Sequence, residues 1–290
     1  MERAVDAVER ALERSGPPVY VRRQIVHNLH VVRDLEAKGA VFVEEETDVP
    51  EGAVVVLSAH GVAPEVYGNA EGRRLTVIDA TCPLVTKVHL ESRRFAGEGR
   101  TILLIGHAGH EEVVGTTGQS PDRTILVENV EQAWTVDVPD PEHLTFLTQT
   151  TLSVDETDEI VEVLRQRFPS ITAPPKDDIC YATQNRQDAV KAVAPRADVV
   201  LVIGSKNSSN SNRLVEVSRA LGTPAYLVDD ETEVDPAWLR GADVIGLTSG
   251  ASAPEWLVDR MLAKLAELGA TEVEELRLAE EDLRFSDVRL

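Results

Sequence analysis

Cysteine is scarce in this chain, with two in 290 residues. So few exclude a disulfide scaffold and point to a cytoplasmic protein. Long apolar runs are missing too, and none approaches the ~20 residues that span a bilayer. The opening MERAVDAVERALERSG is charged and amphipathic, without the apolar core of a secretory signal. Cations are outnumbered, with 29 Lys and Arg against 50 Asp and Glu and a formal net charge of −21. That balance argues against nucleic acid or an anionic membrane as partner. An anionic substrate would need a site built locally from His, Ser, Asn and backbone N–H groups. Neither GxGxxG nor GxxxxGK[ST] occurs, so nucleotide binding has little support, and no CxxC pair signals a metal knuckle.

What is present is an ordinary globular composition, 42% hydrophobic and 27% charged, long enough for two or three domains. Acid is concentrated at 44–48, 229–233 and 272–287, which read as solvated faces. Strand-like runs at 19–22, 54–58, 75–79, 102–106, 145–148, 199–204, 225–228 and 244–248 alternate with helical patterns. The helical patterns cover 3–15, 28–38, 84–95, 156–168, 185–194, 210–221 and 254–268, and Gly39, Gly222 and Gly269 follow three of them as stops. The alternation predicts an α/β fold with mainly parallel sheet.

The chain also repeats itself. DATCPLVTKVH around Cys82 and DDICYATQNRQDAV around Cys180 each follow an Asp and open a helix. The apolar run before the first, Leu75, Val77 and Ile78, reads as a buried strand. Cys82 thus falls at a strand end and a helix N-terminus, with Pro83 in the first turn, where the dipole favours a thiolate. Taken alone, the position favours a buried structural thiol. After each cysteine helix, a strand runs into a polar loop: GHAGHEE at 106–112, then SKNSSNS at 205–211. A second strand ends in another, TQTT at 148–151 and TSGAS at 248–252. Residues 1–81 repeat the order, with loops at Val26-His27-Asn28 and Ser58-Ala59-His60-Gly61, but without a leading strand and cysteine. The expected architecture is three pseudo-equivalent α/β lobes with trefoil-like three-fold symmetry, 1–81, 82–179 and 180–270. Their strand ends would surround one central cluster and substrate site. Residues 271–290 form an acidic tail that is either a disordered solvating end or a strap.

His27, His60 and His110 occupy corresponding loops, where they can donate to phosphate oxygens. Seven polar residues at 205–211 exceed the needs of a helix cap and suggest an oxyanion cradle, with Ser252 as a further donor. Glu112 lies in a Gly-bounded loop among these donors, where an acid is costly unless it acts as a proton donor. Thr150 can orient a substrate hydroxyl. Three converging thiolates would suit zinc with a His, or an iron–sulfur cluster with one open iron, and spacing does not decide between them.

These motifs, together with Gln149-Thr150-Thr151 and Gly250–Pro254, resemble the hydroxymethylbutenyl diphosphate reductase (LytB) family, in order from about Arg3 to Leu268. The resemblance implies reductive dehydroxylation of 4-hydroxy-3-methylbut-2-enyl diphosphate to isopentenyl and dimethylallyl diphosphates, the last step of the non-mevalonate isoprenoid pathway. It implies a 4Fe–4S cluster on three cysteines, two of them Cys82 and Cys180, and ferredoxin or flavodoxin as electron donor. His27, His60, His110, Ser208, Ser209, Asn210 and Ser252 would hold the diphosphate of the small allylic substrate. Thr150 would position its hydroxyl, and Glu112 would start the proton relay. One departure stands out. The family opens with a pattern like GFCxGVxRAV, and Met1 aligns with its first Val, so the third cysteine is expected a few residues upstream of Met1. A GTG codon read as a start would account for this. Two further readings of the residues are a zinc-dependent hydrolase of a phosphorylated metabolite and a non-catalytic diphosphate-binding remnant.

Overall fold

A computed structural model describes residues 2–278 and 285–290. The chain divides into two compact units. One holds the residues up to Val26, Val32–Cys180 and Phe285–Leu290; the other holds His27–Val31 and the chain from Tyr181.

The first unit carries two parallel sheets. In chain order, α1 (Glu2–Ser15), β1 (Val19–Arg22), α2 (Leu29–Ala37), β2 (Ala40–Val43), β3 (Val54–Leu57), α3 (Pro64–Gly72) and β4 (Thr76–Asp79) build the first sheet and its helices. The strands lie in the order β2-β1-β3-β4. Next come α4 (Pro83–Gly97), β5 (Thr101–Ile105), α5 (Glu111–Thr117), β6 (Thr124–Val127), α6 (Val130–Thr135), β7 (Leu144–Thr148) and α7 (Val154–Arg167), with strand order β6-β5-β7. β5 is buried along its whole length because helices cover both faces. By strand alternation Ile102 and Leu104 face Val88 and Phe95 of α4, while Leu103 and Ile105 face Ile160 and Leu164 of α7.

The second unit follows the same plan with α8 (Tyr181–Val193), β8 (Val199–Ile203), α9 (Ser209–Ala220), β9 (Ala225–Val228), β10 (Ile245–Ser249) and α10 (Glu255–Glu267), in the order β10-β8-β9. Val200 and Val202 of β8 pack on Val190 of α8 and Leu214 of α9, and Leu201 and Ile203 pack on Leu257 and Met261 of α10.

All strand pairs within the three sheets are parallel. In every sheet the first strand is central, the second lies on one side and the third on the other. The expected α/β class and the three-fold repetition are therefore written in the topology. β2 and β6, outside the predicted set, are the edge strands of this plan. The strand before Cys82 differs from expectation. β4 is an edge strand paired only with β3, and Thr76 and Asp79 are exposed.

The tail also resolves in part. Residues 271–278 adopt neither helix nor strand. Residues 285–290 lie along α1, where Arg3 Nε donates to Ser286 O at 2.7 Å, Arg10 Nη1 to Val288 O at 3.3 Å and Arg14 Nη1 to Leu290 O at 2.8 Å. Val288 is buried there. This stretch is a strap; residues 279–284 lie outside the described residues. Among the described residues no helix is long and apolar enough to cross a membrane.

Candidate active site

The polar loops follow β1 and β3, β5 and β7, and β8 and β10. Each pair flanks the point where strand order reverses, the place where open α/β sheets bind ligands.

Within the first unit, Cys82 is the N-cap of α4, in extended backbone conformation, with its N–H donating to Ala59 O at 2.9 Å. Asp79 shapes this turn. Its Oδ1 accepts from Thr81 N at 2.9 Å and Thr81 Oγ1 at 2.5 Å, and Oδ2 accepts from Tyr67 OH at 2.7 Å. Cys180, directly before α8, donates its N–H to Thr150 O at 2.9 Å. Both cysteines are half-buried, and among the described residues neither is in a disulfide.

Glu112 is on α5, not in a loop as expected. The Nδ1 of His110, the N-cap residue, accepts from Glu112 N at 3.2 Å and starts the helix one residue before the acid. Because Nδ1 is the acceptor, the ring proton is on Nε2. Burial holds the His110 imidazole below its ordinary pKa, which favours its neutral form. The Glu112 carboxylate is buried and held by one residue. Thr150 N donates to Oε2 at 2.8 Å and Thr150 Oγ1 to Oε1 at 3.0 Å. His60 stacks edge-on against His110 at 6.0 Å between ring centroids. Its Nδ1 is 3.3 Å from Glu111 Oε2, which also accepts from Ser58 Oγ at 3.2 Å.

The second unit contributes the serine-rich loop. Ser208 is the N-cap of α9, its Oγ accepting from Ser211 N at 3.3 Å and from Ser211 Oγ at 3.0 Å. Ser209 is the first helical residue. Asn210 is 97% buried, and neither its Oδ1 nor its Nδ2 has a hydrogen-bond partner among the described residues. An unpaired buried amide costs roughly 1–3 kcal/mol, so the position makes sense as one that a ligand completes. Gly204 and Gly250, ending β8 and β10, both abut Ser211, and a Cβ at either would overlap its hydroxyl. Ser205 Oγ donates to Asp229 Oδ1 at 2.6 Å and accepts from Leu29 N at 3.0 Å. Asn207 Nδ2 is 3.4 Å from His27 Nδ1. Ser252 Oγ donates to His27 O at 2.9 Å, so its proton is committed to the backbone here.

With this geometry in place, the likenesses to known proteins bear on its meaning. The family model described as LytB protein matches residues 1–266. The chain belongs to the LytB family. A 4-hydroxy-3-methylbut-2-enyl diphosphate reductase of Acidothermus cellulolyticus is 64% identical over 287 residues, covering 99% of this chain and 84% of the relative. Proteins of the same name from Mycolicibacterium paratuberculosis and Tropheryma whipplei are 61% and 60% identical, again over 99% of this chain, and cover 86% and 92% of those relatives. A solved reductase structure from Plasmodium falciparum, 41% identical, covers 91% of this chain and 83% of that chain with a TM-score of 0.89. Another, described as the terminal enzyme of the non-mevalonate pathway, is 32% identical, covers 92% and 94%, and has a TM-score of 0.64. Neither the zinc hydrolase nor the remnant reading gains support from these relatives.

For a LytB-family protein the donor chemistry of the thiols fits a soft metal cluster. Each sulfur is at the mouth of a helix, where the dipole stabilises thiolate. The sequence supplies two such sulfurs. Of the residues expected from sequence, Cys82, Cys180, His60, His110, Glu112 and Thr150 fall in the first unit. His27, Ser208, Ser209, Asn210 and Ser252 fall in the second. Sequence reasoning placed Ser205 in the serine-rich cradle but gave no role of their own to Glu111, Ser58 and Asp229. The Glu111-Glu112 doublet was the one available signal.

Proposed function

We propose that this LytB-family enzyme reductively removes the allylic hydroxyl of 4-hydroxy-3-methylbut-2-enyl diphosphate to give isopentenyl and dimethylallyl diphosphates. The observation that carries this reading is the Glu112–Thr150 couple, a buried carboxylate bonded to both the N–H and O–H of one threonine in the unit that bears both thiols.

The reaction consumes two electrons and two protons and releases water. Cys82 and Cys180 would hold a 4Fe–4S cluster, which would supply the electrons. Ferredoxin or flavodoxin in the cytoplasm is the proposed source. Thr150 donates its hydroxyl proton to Glu112, which leaves its oxygen lone pairs to accept the substrate O–H and fix its direction. Once Glu112 has taken up one of the two protons consumed, reversing that hydrogen bond passes it through Thr150 to the departing oxygen, which leaves as water. The diphosphate is taken by Ser208, Ser209 and Asn210 at the N-terminus of α9, where backbone N–H groups and the dipole favour an anion. His27, His60 and His110 are the further proposed donors, and Ser252 would join them by turning its hydroxyl away from His27 O.

Anaerobic turnover of Glu112→Gln tests this directly. Loss of about 10²-fold or more in kcat, with KM changed by less than about threefold, is expected for a residue acting in proton transfer alone. Wild-type kcat in the Gln variant would remove Glu112 from the relay.

A further inference from the structure

Helix α4 opens at Cys82, and five residues on, Lys87 sends its ammonium to the other cysteine turn. Side chains of a helix lean toward its N-terminus, so Nζ reaches back to the level of the first turn. It meets four oxygens. Nζ is 2.6 Å from Lys176 O, 3.3 Å from Asp177 O, 2.7 Å from Asp178 Oδ1 and 3.4 Å from Glu91 Oε2. An ammonium has three protons, so its donor capacity is spent on the segment that leads into Cys180.

That segment is gripped from its other side as well. The Asp178 side chain is 0% exposed, and its second oxygen accepts from Thr148 N at 2.9 Å at the end of β7. Two residues later Cys180 N donates to Thr150 O, 2.9 Å away. The Cys180 turn therefore hangs between the end of β7 and one ammonium carried by the helix of Cys82. An ion pair this enclosed holds geometry well, because losing either partner strands the other charge without water.

We propose that Lys87 is a positioning residue for the two thiols, the strut that sets the Cys180 turn at a fixed place against the helix that Cys82 opens. This goes beyond the thiol-ligand reading above and rests on it only for its purpose; the strut itself is testable in the metal-free protein.

The experiment uses the full chain, reduced, anaerobic and stripped of metal with a chelator. Iodoacetamide alkylation of Cys82 and Cys180 is followed separately by peptide mass spectrometry. In Lys87→Met, Cys180 should react about tenfold faster while Cys82 stays within about twofold, since only the Cys180 turn gains freedom to open. Lys87→Arg, which keeps the charge, should return Cys180 most of the way to the wild-type rate. If Lys87→Met does not fold, Asp178→Asn carries the test, with an expected rise at Cys180 of about threefold. In protein reconstituted with iron and sulfide, the Met variant should lose iron to chelator faster than wild type and give shifted EPR g-values in the reduced state. An unchanged Cys180 rate in a folded variant would overturn the strut, as would equal acceleration of both cysteines. Should the wild type itself take up no iron and sulfide, the ligand reading fails while the alkylation contrast still decides the role of Lys87.

Discussion

The two cysteine turns look alike in sequence, each an aspartate shortly before a cysteine that opens a helix, yet they are held by different forces. The Cys82 turn is made from local bonds and close packing. Asp79 folds it onto Thr81, and Arg3 Nη1 donates to Thr81 O at 3.0 Å. Gly61, at φ 75°, brings the loop after β3 against it. The Cys180 turn is tied to the end of β7 through Asp178 and Cys180, and takes a charge supplied by α4. The first turn should therefore break under steric insult and tolerate loss of charge, and the second should do the reverse.

Gly61→Ala attacks the first turn hardest. An added Cβ would lie 2.7 Å from His89 Cε1 and 3.0 Å from Val85 Cγ1, on a backbone that L residues adopt at a cost. Strain plus overpacking should total about 3–4 kcal/mol, read as a lowered urea midpoint at unchanged m-value. Acid should come next. His89 is buried beneath the same turn with an unpartnered Nε2 among the described residues, and burial pulls its pKa from 6.5 to about 4. The unfolded chain takes up this proton near pH 6.5 and the folded chain only near pH 4, so acidification through that window favours unfolding. The loss should reach about 3 kcal/mol at pH 4 and vanish above pH 6.5. A His89→Gln variant should flatten the pH dependence of stability by that amount.

Asp178→Ala tests the second turn. Buried-pair losses are commonly larger, but Lys87 keeps some access to water, so about 2–3 kcal/mol is expected, together with faster alkylation of Cys180 but not of Cys82. Smallest is Tyr67→Phe, which removes one hydrogen bond to Asp79 and should cost about 1 kcal/mol or less by thermal unfolding. If Tyr67→Phe loosened Cys180 as much as Asp178→Ala does, the two turns would not be separately built.

Most of the central strands were legible because they are continuous apolar runs, as sheets covered on both faces require. β2 and β6 escaped because edge strands are short and half-exposed, so AVFV and TILV carry little contrast with their surroundings. Helix α5 escaped for a different reason. EEVVGTT is poor in helix formers, and the helix rests on the His110 cap and on packing of Val113 against α4 and β5. That hid the placement of Glu112 while leaving its identity readable. Side-chain pairings across the chain, Thr150 with Glu112 and Lys87 with Asp178, have no signature in one sequence, because the partners are brought together only by the sheet order.

The crowding of Gly204, Gly250 and Ser211 carries a consequence for how this part of the protein can change over time. Three positions drawn from two strand ends and one helix share a single small volume, and each is at the limit of what the other two permit. A larger residue at either glycine is admissible only after Ser211 has shrunk, and Ser211 shrinking to glycine would take a hydroxyl from the helix mouth and loosen the helix besides. The serine loop is thus ratcheted: its neighbours can drift, but these three can move only together.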